Sequence, residues 1–225
     1  MTGRRLALLV AAKDLRVEAR SKRAVVTTLF FSFLILVIFK FSFDPGDPAS
    51  RAAAPGILWV ALLFPGVLQL NRSFDVERAD DTLSGLLLSP LEPERLFIGK
   101  WLANWTYLVV VDLFVLVAFM VLFNIAFEAA IAWLLLLIPL AAVPFTAVGT
   151  LFAAMVSSLR SREAMLPILL FPLLIPSLIA SVSATREVLG EGAQFLGSWI
   201  QLLCVTGVVF GAASYILFGY VLGEE

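Results

Sequence analysis

Asp80 and Asp81 stand directly ahead of Leu83, Leu86 and Leu87, and Ser89-Pro90 closes the run. This order suits recognition rather than bond-making. Either aspartate can N-cap a short helix, where a carboxylate also meets the positive end of the helix dipole. The leucines then recur at one-turn spacing, and Pro90 ends the helix by disfavouring helical backbone at Ser89. Asp75 and Glu77 lie just upstream, against Arg72 and Arg78. An apolar stripe rimmed by acids fits a protein partner better than a bilayer, because surface-bound helices usually present Lys and Arg to anionic lipid.

Little else in the chain could do covalent or metal chemistry. There is no histidine, which removes imidazole as a ligand for zinc or haem iron and as a proton carrier near neutral pH. The single cysteine, Cys204, excludes an internal disulfide. No nucleophile and base pair can be identified, so no enzyme activity and no metal site are expected. A net charge of −1 leaves no basic surplus for nucleic-acid phosphates. One acid stands apart: Asp112 falls near the middle of a long apolar run, where a carboxylate is costly enough to be a functional candidate or a hydrogen-bonded link between helices.

The elements that must position these residues are membrane helices. Hydrophobic residues make up 61% of the chain and charged ones 15%, against roughly 45–50% and 25% in soluble domains. Six apolar runs, residues 24–43, 53–71, 101–125, 130–156, 164–183 and 199–222, each approach the ~20 residues that cross a ~30 Å hydrocarbon core. Arg160 and Arg162 keep the fourth and fifth apart. The expected fold is therefore an all-α integral membrane domain spanning 1–225, with residues 72–100 as its longest inner loop. Trp101, Trp105, Trp199 and Tyr220 fall near span ends, where amphipathic rings prefer the headgroup level.

Orientation follows from the cations. With the N-terminus inside, the inner segments hold Arg4, Arg5, Lys13, Arg16, Arg20, Lys22, Arg23, Arg72, Arg78, Arg95, Lys100, Arg160 and Arg162. Only Lys40, Arg51 and Arg186 fall outside, so both termini are expected in the cytoplasm. Arg4 and Arg5 ahead of a short apolar stretch imitate a secretory signal, but export would carry Lys13 to Arg23 outward against that rule. Residues 1–23 read instead as an amphipathic elbow helix in the membrane plane, with Leu8, Ala12, Leu15 and Ala19 on one face.

Two further patterns have functional and plain structural readings. Pro167, Pro172 and Pro176 remove backbone donors within one span and are candidates for a hinge or a fixed kink. Gly207 and Gly211, then Gly219 and Gly223, stand at GxxxG spacing that permits close helix packing.

The run SFDVERADDTLSGLLLSPLEPERLFIGKWLAN resembles the loop after the second span in haem exporter protein B, the permease family of the cytochrome c maturation ABC transporter. KDLRVEAR ahead of the first span, six spans and the chain length extend the resemblance over essentially the whole sequence. Ser84 departs from it, standing where an acid is often found.

The resemblance implies a bacterial inner-membrane subunit that couples ATP hydrolysis on a separate cytoplasmic ATPase to haem export or to release of a haem-loaded periplasmic chaperone. The chain itself has no G-x-x-x-x-G-K-[ST] loop to hold nucleotide phosphates. The 72–100 loop would carry the coupling helix. Leu83, Leu86 and Leu87 would be its apolar anchors, Glu77, Asp80 and Asp81 its charged rim, and Phe74 and Pro90 its flanks. No cofactor is expected on this chain alone. Without histidine, haem would be ligated by a haem-handling membrane partner, at an interface with this subunit. An exporter permease for lipid, polysaccharide or drug shares the elbow and the loop, and a non-transporting membrane scaffold is the alternative of another class.

Overall fold

The computed structural model describes residues 3–43, 47–74, 93–125, 129–157, 162–190 and 195–223. They form seven helices: α1 (Gly3–Arg20), α2 (Lys22–Phe41), α3 (Pro48–Arg72), α4 (Pro93–Phe123), α5 (Ala129–Val156), α6 (Arg162–Leu189) and α7 (Leu196–Gly223). The fold is all-α, as helices satisfy every backbone group internally where no water is available. Five helices, α3 to α7, are long and apolar enough to cross a membrane, and α1 with α2, bent by 70° between them, brings the number up to six.

Local chemistry sets the helix ends. Asp47 caps α3, its carboxylate accepting from the Ala49 amide at 2.9 Å, with Pro48 occupying the first turn. Helix α4 starts at Pro93 rather than near Trp101, so 93–100 is helical and not loop as the apolar run suggested. Proline is preorganised for a first helical position and Glu94 suits the positive end of the dipole, which lets a polar turn precede the apolar run.

The central pair is α4 and α5. Helix α4 packs on α1, α2, α3, α5 and α7, and α5 packs on α3, α4, α6 and α7. Two apolar clusters result. One joins Leu58, Leu62, Leu116, Phe119 and Leu203, and the other joins Leu70, Phe74, Phe97, Phe145 and Phe218 at the end where α3 stops and α4 starts.

Polar links cross between the helices. Trp101 donates to Thr146 Oγ1 at 3.1 Å, Asn104 to Thr150 Oγ1 at 2.9 Å, and Trp105 to the Pro139 carbonyl at 2.9 Å, all from α4 to α5. Trp59 on α3 donates to Thr185 on α6 at 2.9 Å. Trp101 and Trp105, about two and three turns into α4, thus serve as interhelical donors. Trp199 donates to Glu187 at the other end, and Tyr220 is exposed.

Candidate functional site

The site builds from the two ends of the 75–92 segment. Helix α3 runs out at Arg72, and the Ser73 amide closes its last turn on the Gln69 and Leu70 carbonyls. Phe74 turns back into the apolar cluster, 2% exposed. Across from it, Leu96 and Phe97 bury the first turns of α4.

Lys100 is the polar centre of this stem. Its side chain is 1% exposed, and a buried ammonium is costly unless paired and hydrogen-bonded. It meets the Asp14 carboxylate of α1 at 3.2 Å, donates to the Ser73 carbonyl at 3.1 Å, and lies 4.5 Å from the Phe74 ring centroid. The carbonyl belongs to the negative end of the α3 dipole, and the ring face attracts a cation. Asp14 also pairs with Lys13 at 3.1 Å. One ammonium thereby ties both ends of the 75–92 segment to each other and to α1.

Helix α1 reaches Lys100 by a close approach. A Cβ on Gly99 would stand 2.8 Å from the Ala7 carbonyl oxygen and 2.8 Å from Val10 Cβ. The buried stripe of α1 is accordingly Ala7 and Ala11, continuing to half-buried Asp14 and Glu18. The apolar face expected of the elbow lies off this contact: Leu8, Ala12 and Ala19 are exposed and Leu15 is only partly buried. Small residues win the contact because backbone proximity to α4 needs them, while larger apolar groups can face lipid at no cost.

We expect Gly99→Ala to destabilise the chain by about 1–3 kcal/mol, since the neighbour that must yield is backbone. The readout is thiol labelling of an Ala11→Cys reporter, 4% exposed in the parent, with the exposed Cys204 replaced. Labelling should accelerate as α1 lifts from α4; an unchanged rate would refute the close approach.

Of the residues singled out from sequence, Phe74 joins the stem, whereas Glu77, Asp80, Asp81, Leu83, Leu86, Leu87 and Pro90 lie outside the described residues. Asp112 is buried on α4, between Val111 and Val115 of the apolar cluster farther from the stem. Pro167, Pro172 and Pro176 all sit inside the single helix α6, and Pro172 and Pro176 are exposed. Gly207 lies against Val143 of α5, Gly211 against Trp101 and Gly219 against Glu94 of α4, so these three serve internal packing. Gly223 is the last residue of α7. Among the described residues no group of three or more His, Cys, Asp or Glu is placed to hold a metal ion.

Lys100 and Asp14 are the residues that sequence reading missed. Lys100 stood only among the inner cations and Asp14 only inside the phrase KDLRVEAR; the signal available was a Gly-Lys pair opening one span and a Lys-Asp pair in the elbow.

The profile of the CcmB protein family matches residues 5–219. Heme exporter protein B of Rhodobacter capsulatus is 26% identical over 207 residues, covering 92% of this chain and 93% of that protein. The protein of the same name from Haemophilus influenzae is 27% identical over 210 residues, covering 92% and 91%. That of Escherichia coli K12 is 33% identical over 92 residues, 41% of this chain and 42% of its own.

Proposed function

This chain belongs to the CcmB protein family, and from that premise we propose that it is a haem-exporter permease subunit for c-type cytochrome biogenesis in a bacterial inner membrane. The observation that carries the reading is the match across residues 5–219, which takes in every span together with the loop between α3 and α4. ATP is hydrolysed on a separate cytoplasmic subunit that docks on the 75–92 segment. The Lys100 stem supports this route, because a partner pressing on that segment pushes on α1, α3 and α4 together as one body. The cation count supports cytoplasmic termini, with α1, Arg72, Arg95 and Lys100 on the inner side.

Haem is cargo here and a partner holds its iron. The chain has no histidine, which leaves only Met, Cys204 and Tyr as potential axial ligands. A haem-handling membrane protein supplies the ligands, and ATP-driven movement of this subunit either passes haem across or releases a loaded periplasmic chaperone.

Purification in mild detergent tests the assignment. The tagged subunit should bring down an ATPase and a haem-binding membrane protein, with an axial-ligand Soret band in the complex and none on the isolated subunit. A stoichiometric six-coordinate haem on the isolated chain would overturn partner-supplied ligation. Normal c-type cytochrome assembly in cells lacking the chain would favour an exporter of lipid, polysaccharide or drug instead.

A further inference from the structure

The acids of α1 and its free arginines lie on opposite sides of the helix. Asp14 turns inward to Lys100 of α4 at 3.2 Å, and the Glu18 carboxyl is hydrogen-bonded to the side chain of Gln69 on α3. Ala7 and Ala11 continue this packed side, where Gly99 approaches. Burial also holds the Glu18 carboxyl above the usual carboxylate range, with the Gln69 hydrogen bond and the Arg72 charge pulling it back part of the way. Arg5, Arg16 and Arg20 take the other side. They stand eleven and then four positions apart, close to whole helical turns, and all three are exposed. Lys13 pairs with Asp14 at 3.1 Å, but none of these three guanidiniums has a hydrogen bond or ion pair among the described residues. Packing thus draws both negative charges away from the free side of α1 and leaves its arginines unopposed.

That free side is not purely polar. Leu8 and Leu9 are 57% and 55% exposed, and they lie among the arginines along the helix. With α2 crossing the bilayer, the 70° bend between the two helices lays α1 close to the membrane plane. There the leucines enter the acyl boundary while the guanidinium forks meet phosphate oxygens, as an interfacial helix requires. Charge of a single sign, on the side of the membrane where the cation count places α1, complements an anionic leaflet. A choline or ethanolamine head would bring its own cation against the arginines, so a net anionic head is favoured. We propose that Arg5, Arg16 and Arg20 bind the phosphates of anionic phospholipids in the inner leaflet, so that the membrane holds one side of α1 while Gly99 and Lys100 hold the other. Anionic lipid thereby braces the elbow against α4 and becomes part of the stem. The inference rests on the membrane reading of the helices and is independent of the cargo.

The test uses the full chain in detergent, titrated with phosphatidylglycerol or phosphatidylcholine of identical acyl chains and read by native mass spectrometry. Phosphatidylglycerol should bind about tenfold or more tightly. Replacing the arginines together, Arg5→Gln, Arg16→Gln and Arg20→Gln, should bring the two lipids to within about threefold of each other. In nanodiscs, thiol labelling of an Ala11→Cys reporter, with Cys204 replaced, should be roughly threefold slower in phosphatidylglycerol than in phosphatidylcholine, and the triple variant should lose that difference. Equal affinity for the two lipids, or a preference undiminished in the triple variant, would overturn the proposal. Competition by glycerophosphoglycerol, which has the head without acyl chains, at matched concentration would show a soluble anion site and overturn the membrane assignment. Loss of ATPase copurification in the triple variant with the lipid preference intact would make this side a protein-docking face and overturn it equally. If the triple variant does not fold, salt decides in the parent. Raising ionic strength from about 0.05 to about 0.5 M should cut the preference at least threefold, and a preference indifferent to salt refutes the site. Haem export can fail without touching any of these outcomes.

Discussion

Lys100→Met should lower stability by about 3 kcal/mol, the lower end of the range for breaking a buried ion pair by removing one partner. The lower end applies because Asp14 keeps 19% side-chain exposure and a second cation, Lys13, at 3.1 Å. What remains is a largely buried carboxylate and a Ser73 carbonyl that has lost its donor at the end of α3. For a chain of 225 residues this corresponds to a fall of roughly 6–12 °C in thermal midpoint in detergent. The double variant Asp14→Leu with Lys100→Met removes both charges and should recover most of the loss, as apolar replacements of buried pairs often do. Recovery of stability without recovery of cytochrome c assembly would separate the two roles of Lys100, because the apolar pair packs but no longer holds the Ser73 carbonyl. A midpoint within about 2 °C of the parent for Lys100→Met would show that the pair is not buried as described.

The second large effect concerns Leu86 and Leu87. If these residues enter an apolar groove on the ATPase, changing both to Asp places charges where unpaired burial costs several kcal/mol, and docking fails. On this reading the groove belongs to the ATPase, so expression and membrane insertion should persist while ATPase copurification and cytochrome c assembly are lost. Charge reversal at Asp80 and Asp81 should be milder, since solvated rim pairs act mainly on association rate and salt sensitivity. Intact copurification and assembly in the double Leu variant would sink this segment as the coupling helix and move attention to residues 157–163.

Read together, the two experiments divide the transmission path. The Leu pair tests contact with the partner, and Lys100 tests whether force on the segment reaches α1. Loss of assembly with retained ATPase binding in Lys100→Met is the signature expected of a stem that transmits movement without itself touching the partner.

The membrane class and the apolar runs behind the helices were legible in the sequence, because crossing a bilayer is a property of each segment alone and of its length and apolar content. The family was also legible, through the phrase between Ser73 and Asn104 and its setting among six runs. Hydropathy did not locate the polar first turns of α4, since Pro93 and Glu94 start a helix on capping chemistry rather than on apolarity. Which face of α1 packs was not legible either: lipid is as apolar as a protein core, so periodicity cannot distinguish the side that touches α4 from the side that touches tails. The chain buries Ala7 and Ala11 and leaves Leu8 exposed. Lys100 shows the same limit for charge. By sequence it marks an inner boundary; the tertiary fold brings Asp14, 86 positions away, and the Ser73 carbonyl to its ammonium. A local pattern specifies which segments enter the membrane, but only the packing of those segments selects the partner that makes a buried charge tolerable.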